Sequence, residues 1–125
     1  MSWLFIDTHK MNEMRLGILD GDASKIEMLE GRSRVLLLAL QQLDRQTLAG
    51  LDGVCVVAGP GSFSSLRSGV LTANLFARLF KCRLVSVRAN EAVDLDTLAA
   101  RLSRSEFSAM AFAAPMYGAE PNITK

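Results

Sequence analysis

A single histidine, two cysteines and three prolines serve a chain of 125 residues whose formal net charge is only +1. Each scarcity removes a class of function. His9 stands alone in the polar stretch His9-Lys10-Met11-Asn12-Glu13 and reads as a solvated loop residue. With one histidine and no cluster of cysteines or carboxylates, a zinc or iron site cannot be assembled from this sequence. Cys55 lies inside an apolar strand and Cys82 follows a helix, a spacing that gives neither a disulfide framework nor a CxxC metal motif. Both read as reduced thiols, which points to the cytoplasm. The near-neutral charge and the lack of a long basic run argue against direct binding to a phosphate backbone. The apolar run Val35 to Leu40 is too short to span a bilayer, and the first residues lack the regions of a signal peptide, so no membrane association is expected. In such a setting the sequon Asn122-Ile123-Thr124 carries no meaning. No internal repeat or low-complexity segment is visible.

Half of the residues are hydrophobic, enough for one domain with a real core. The most informative stretch is Val57-Ala58-Gly59-Pro60-Gly61-Ser62-Phe63-Ser64-Ser65-Leu66-Arg67-Ser68-Gly69, an apolar strand joined to a helix through a two-glycine turn. Gly59 and Gly61 open backbone angles closed to other residues, Pro60 fixes a torsion between them, and the serines can cap the helix. The resulting nest suits phosphate, and it also serves simply to end a strand and start a helix. It lacks the third glycine of a dinucleotide fingerprint and the lysine of a P-loop, which favours the structural turn.

Along the chain, Trp3 to Asp7 reads as a buried first strand. Met14 to Leu19 and Ser24 to Leu29 alternate around Asp20-Gly21-Asp22 and form a β-hairpin, so the fold opens with three strands. A helix is expected from Ser33 to Gln46, a strand over Val54 to Ala58, a helix from Ser64 to Phe80 and a strand over Leu84 to Val87. Asp94 caps a helix reaching Ser103, and Ser108 to Ala114 is apolar enough for a last strand. Antiparallel strands first, then alternation of strand and helix, predict an α/β fold with a mixed sheet and flanking helices. The regular lobe is expected over 1–114 and an extended tail over 115–125.

The two long helices carry the next piece of information. Val35, Leu36, Leu37, Leu38, Ala39, Leu40 and Leu43 leave almost no polar face on the first. In the second, Ser65, Gly69, Ala73 and Ala77 recur at steps of four and form a ridge where another helix could approach closely. Packing within one monomer and docking on a partner are both open, and both can hold at once. The candidate interface comprises Leu36, Leu37, Leu40 and Leu43 with Ser65, Gly69, Thr72, Ala73, Phe76 and Ala77.

With Ile6-Asp7-Thr8, the stretch Gly59 to Arg67, Gly69 and Ala73, and Leu84-Val85-Ser86-Val87 before Asn90-Glu91-Ala92, the chain resembles the TsaB family, also called YeaZ. The resemblance covers most of the chain and is strongest from Val54 to Ala92; Tyr117 to Thr124 is similar to the closing segment of short members. It departs at Ser65, where glycine is usual, at Asn74, where lysine is common, and at Arg32-Ser33, where an HS pair is frequent. It implies an RNase H-like lobe of the actin-like ATPase (ASKHA) class, here one lobe where members usually have two. It further implies a noncatalytic scaffold subunit in the synthesis of N6-threonylcarbamoyladenosine (t6A) on tRNA. The implied partners are a TsaD-like catalytic subunit, bound through a helix pair, and indirectly a TsaE-like ATPase. The tRNA is met only through the complex, and a homodimer is expected in isolation.

The remaining candidates divide between structural and chemical roles. Asp7, Thr8, Gly59, Pro60, Gly61 and Ser62 form the candidate phosphate loop. Asp7 could hold a metal-bound water, as the corresponding acid does in active members of the fold, or could end the strand in an Asp-Thr turn. No cofactor is expected of the chain alone; ATP or ADP with magnesium at an interface shared with the partner is the alternative. Ser62, Ser64 and Ser65 have no local base, which argues against nucleophilic catalysis and against the peptidase label attached to the wider family. Arg67, a cation at a helix start, either pairs across an interface, reaches Asp7 or Glu91, or is solvated. Met110 and Met116 are expected to fill core gaps and Tyr117 to anchor the tail. The scaffold is the favoured reading; a small ATP-binding or ATP-hydrolysing module and a self-associating structural protein are the other two.

Overall fold

A computed structural model describes residues 2–20, 24–31, 33–61 and 63–116. The expected hairpin turn at Gly21-Asp22, Arg32, Ser62 and the tail over 117–125 lie outside the described residues. One sheet organises the chain. Strands β1 (Ser2–Lys10), β2 (Glu13–Asp20) and β3 (Lys25–Glu30) come first, followed by helices α1 (Ser33–Gln41) and α2 (Arg45–Ala49). Strand β4 (Gly53–Gly59), helix α3 (Phe63–Phe80), strand β5 (Arg83–Arg88), a 3-10 turn over Ala89–Ala92 and helix α4 (Leu95–Ser103) complete the order. The sheet runs β3-β2-β1-β4-β5, with β1 antiparallel to β2, β2 antiparallel to β3, and β1, β4 and β5 mutually parallel.

The pattern of apolar residues explains this arrangement. Every residue of β4 is buried, as expected of a central parallel strand covered on both faces. Leu4, Ile6, Val54, Val56 and Leu84 point to the side covered by α1 and α3, where Leu36, Leu40, Val70, Ala73 and Ala77 meet them. Trp3, Phe5, Cys55, Val57, Val85 and Val87 point to the other side, which α4 covers with Leu98, Ala99 and Leu102. Full burial of such side chains stabilises by roughly 1.5–3 kcal/mol each. The edge strand β3 is mostly exposed and carries Lys25, Glu27 and Glu30, charges that discourage pairing with another sheet.

The expected cap at Asp94 is present: its carboxylate accepts from the amides of Asp96 and Thr97 and from the Thr97 hydroxyl at 2.8 Å. Two expectations need correction. The helix expected from Ser33 to Gln46 ends at Gln41, and α2 starts afresh because the Asp44 carboxylate accepts from the Gln46 amide at 3.2 Å. A residue bonded in this way takes an extended backbone, here ψ 136°, which a continuing helix cannot accommodate. The strand expected over Ser108–Ala114 does not form. The Met110 amide donates to the Leu84 carbonyl at 2.9 Å, and the Asn74 side chain satisfies both peptide groups of Ala113. Met116 packs against the core as expected, whereas Met110 is exposed.

Candidate functional site

Strands β1 and β4 are parallel neighbours whose chains part beyond their carboxyl ends, β1 into a hairpin and β4 into α3. Such a parting opens a crevice at the end of an α/β sheet. Asp7, Thr8 and His9 approach it from β1; Gly59, Pro60 and Gly61 approach it from β4.

Asp7 is 2 % exposed and saturated with donors. One carboxylate oxygen accepts from Arg15 Nε at 2.8 Å and lies 2.7 Å from Arg15 Nη2; the other accepts from the His9 amide at 3.1 Å and lies 2.5 Å from His9 Nδ1. Arg15 Nη2 also donates to the Ala92 carbonyl at 3.0 Å, and the guanidinium lies over the Phe5 ring. This cluster therefore ties β1 and β2 to the turn after β5. His9 belongs to the strand and to this cluster, which corrects its reading as a solvated loop residue. Of the carboxylates considered for Arg67, Asp7 pairs with Arg15, and Glu91 pairs with Arg101 at 3.4 Å. Beside the cluster lies a cleft of about 430 Å³ lined by His9, Lys10, Glu13, Arg15, Met28 and Val93 among others.

Thr8 turns to the opposite face, where its hydroxyl donates to the Ser65 carbonyl at 2.7 Å. The contact explains Gly69, because a Cβ there would stand 2.0 Å from Thr8 Oγ1. A Cβ on Gly59, whose φ is +130°, would stand 2.0 Å from the Met116 carbonyl oxygen, and one on Gly61 would stand 2.2 Å from that of His9. The glycine loop is thus filled by the chain's own backbone. Arg15 and His9 hold both oxygens of Asp7 and the Met116 carbonyl stands over Gly59, and among the described residues no three His, Cys, Asp or Glu side chains converge on a metal position.

The small-residue ridge faces inward. Gly69, Ala73 and Ala77 are buried, Ala73 completely, and together with Leu36 and Leu40 they belong to the core against β1 and β4. These five were expected at a partner surface and cannot present themselves there, because the sheet already occupies the close approach that small residues permit. Leu43 is half-buried against the same core, Phe76 is half-buried and stacks on Phe80 at 4.5 Å, and Thr72 donates to the Ser68 carbonyl within the helix. Ser65 is half-buried over Thr8. Of the expected set, Leu37 is exposed.

The outward face is a different stripe. Leu71, Leu75 and Leu79 recur at the same step of four and are each more than half exposed, as are Leu37 and Leu38 on the neighbouring α1. The leucines of α3 went unnoticed in the sequence although their spacing signals them as clearly as that of the ridge. Arg15 and Asn74 were missed as well.

These features define an α/β fold of the RNase H-like type, a mixed five-stranded sheet with helices on both faces. Two solved structures share it. YeaZ from Pseudomonas aeruginosa matches with a TM-score of 0.60 and 18% identity over 70% of this chain and 45% of its own. A protein described as having similarity to peptidase YEAZ from the same organism matches with 0.59 and 18% over 70% and 43%. The chain thus spans less than half the length of these structures. No curated protein matches it. The family model of TsaD, tRNA N6-adenosine threonylcarbamoyltransferase, matches residues 33–107, more than half of the chain. The chain belongs to that family and is a YeaZ-like, or TsaB-like, protein.

Proposed function

We propose that this protein is a noncatalytic, TsaB-type subunit of the machinery that makes t6A on tRNA, and that it docks a TsaD-type protein on the outer face of α1 and α3. The observation that carries the reading is the set of five exposed leucines, Leu37, Leu38, Leu71, Leu75 and Leu79, on adjacent helices. Contiguous apolar surface of this kind on a soluble domain marks an interaction site. The noncatalytic part is supported by Asp7, whose carboxylate is held by Arg15 and His9. A TsaE-like ATPase and tRNA would be met through the TsaD-type partner, and a nucleotide with magnesium would need a site that the partner completes.

The test is co-purification with the TsaD-type protein of the same organism, comparing wild type with Leu75→Arg. Leu75 is exposed, so the variant is expected to melt as wild type does and to lose the pair. No pair with wild type would sink the proposal. The same leucine face suits a second copy of the chain. Sedimentation of the protein alone separates the two readings: a homodimer that the TsaD-type protein does not dissociate would favour self-association.

A further inference from the structure

Beyond α4 the described residues, 104–116, form no helix or strand, yet they do not leave the surface. They cross from the outer edge of β5 to the end of β4, fastened at three places. The Met110 amide donates to the Leu84 carbonyl at 2.9 Å, and the Met116 amide donates to the Ala58 carbonyl at 2.6 Å. Between them Asn74 Nδ2 donates to the Ala113 carbonyl at 2.9 Å while Asn74 Oδ1 accepts from the Ala113 amide at 2.8 Å. The carboxamide is itself aimed by a bond from Nδ2 to the Val70 carbonyl of α3 at 2.9 Å. Only an amide side chain has both a donor and an acceptor in the spacing of a peptide group, so Asn74 acts as one rung of a missing strand.

The fastening is almost wholly polar. Ala113 is buried and Met116 partly so, but Met110 is exposed and Phe112 is 70 % exposed. A segment with few buried apolar contacts and a handful of hydrogen bonds opens locally, without unfolding of the domain. Its end lies where opening matters, since the Met116 carbonyl fills the space that a side chain on Gly59 would take. We propose that residues 108–116 form a detachable strap, latched by Asn74, that closes the crevice at the carboxyl end of β4. Access to the Gly59–Gly61 loop then requires the strap to lift, and a partner seated on the leucine face of α3 neighbours the latch.

Amide hydrogen exchange followed by NMR tests this. In wild type the Met110, Ala113 and Met116 amides should exchange faster than the β4 amides of Val54 to Val57, yet more slowly than free chain. Asn74→Leu removes both latch bonds and should speed exchange of the three strap amides by about tenfold or more while leaving β4 unchanged. Broadening of the Gly59 signals by a soluble gadolinium chelate should rise in parallel. Ala113→Lys, a charge forced into the buried seat of the strap, should reproduce the release with every lobe residue unaltered, and it serves if Asn74→Leu fails to fold. Strap amides that exchange only together with β4, strap rates unmoved by the Asn74 substitution, or unfolding of both variants would overturn the proposal.

Discussion

Replacing Arg15 by methionine keeps most of the side chain's length and apolar stem but removes every donor it gives to Asp7. The Asp7 side chain is 3% exposed, and one of its carboxylate oxygens is held by Arg15. Removing one partner of a buried ion pair typically costs about 3–5 kcal/mol, because the remaining charge stays desolvated. The Arg15 side chain is 22% exposed and water can reach part of the vacated space, so the lower end, about 3 kcal/mol, is expected. The Ala92 carbonyl also loses its donor. In a domain of this size that corresponds to a fall in melting temperature of about 12 °C. Asp7→Asn should cost less, about 1–2 kcal/mol, since the asparagine retains an acceptor and the stranded arginine can turn to water. The double variant should cost less than the two singles combined, because the second substitution removes a charge that the first has already orphaned. Urea denaturation followed by circular dichroism measures all three. A cost below about 1 kcal/mol for Arg15→Met, or strict additivity, would refute the view that Asp7 is a structural anion held by Arg15.

Gly69→Ala should lower stability by about 1–3 kcal/mol, read as a lower urea midpoint, since its Cβ meets Thr8 Oγ1 and forces α3 off the sheet. Ala73→Arg should abolish the cooperative thermal transition, because the position is fully buried and has no room or partner for a charge. Burial raises both thiols above their usual range, Cys55 strongly and Cys82 less; at pH 8 the native protein should show one slow reaction with a chromogenic disulfide, at Cys82, and a second only in denaturant. The Thr97 hydroxyl and the helix amides hold the Asp94 carboxyl below its ordinary 3.8. A depressed folded value means that the cap's stabilisation is complete above pH 3.8 and fades as pH falls through the lower folded value. The gap in melting temperature between wild type and Asp94→Ala should therefore be present at pH 7 and shrink below that point, and a gap that persists unchanged at pH 2 would contradict it.

How much of this was visible in the sequence depends on how local the cause is. The buried strands around Phe5, Val56 and Val85 announce themselves as continuous apolar runs, and the Asp94 cap needs only its own next three residues. The Asp7–Arg15 pair was hidden because it depends on register. These residues face one another across the β1–β2 hairpin, but only after the irregularity between Asp7 and Lys10 has shifted the pairing. Asn74 was hidden for another reason: its partner Ala113 lies in a stretch that reads as a strand, so nothing near either residue reveals a side-chain latch. The ridge of α3 was legible, but whether the sheet or a partner fills it was not, because small residues declare that something comes close without declaring what.

The two stripes of α3 depend on each other. Gly69, Ala73 and Ala77 let the helix settle directly on β1 and β4, and that seating turns Leu71, Leu75 and Leu79 outward beside Leu37 and Leu38. A substitution in the seam therefore disturbs the outer face as well, so loss of a partner by a seam variant says nothing about contact unless its melting temperature is unchanged. The same logic explains α1. Leu36 and Leu40 anchor it in the core, and successive residues are about 100° apart on a helix, so Leu37 and Leu38 must project elsewhere. A helix that is apolar all round is at ease only when covered on both sides. The sheet covers one side of α1, and the leucines on the other side give the helix pair its reason to be an interface.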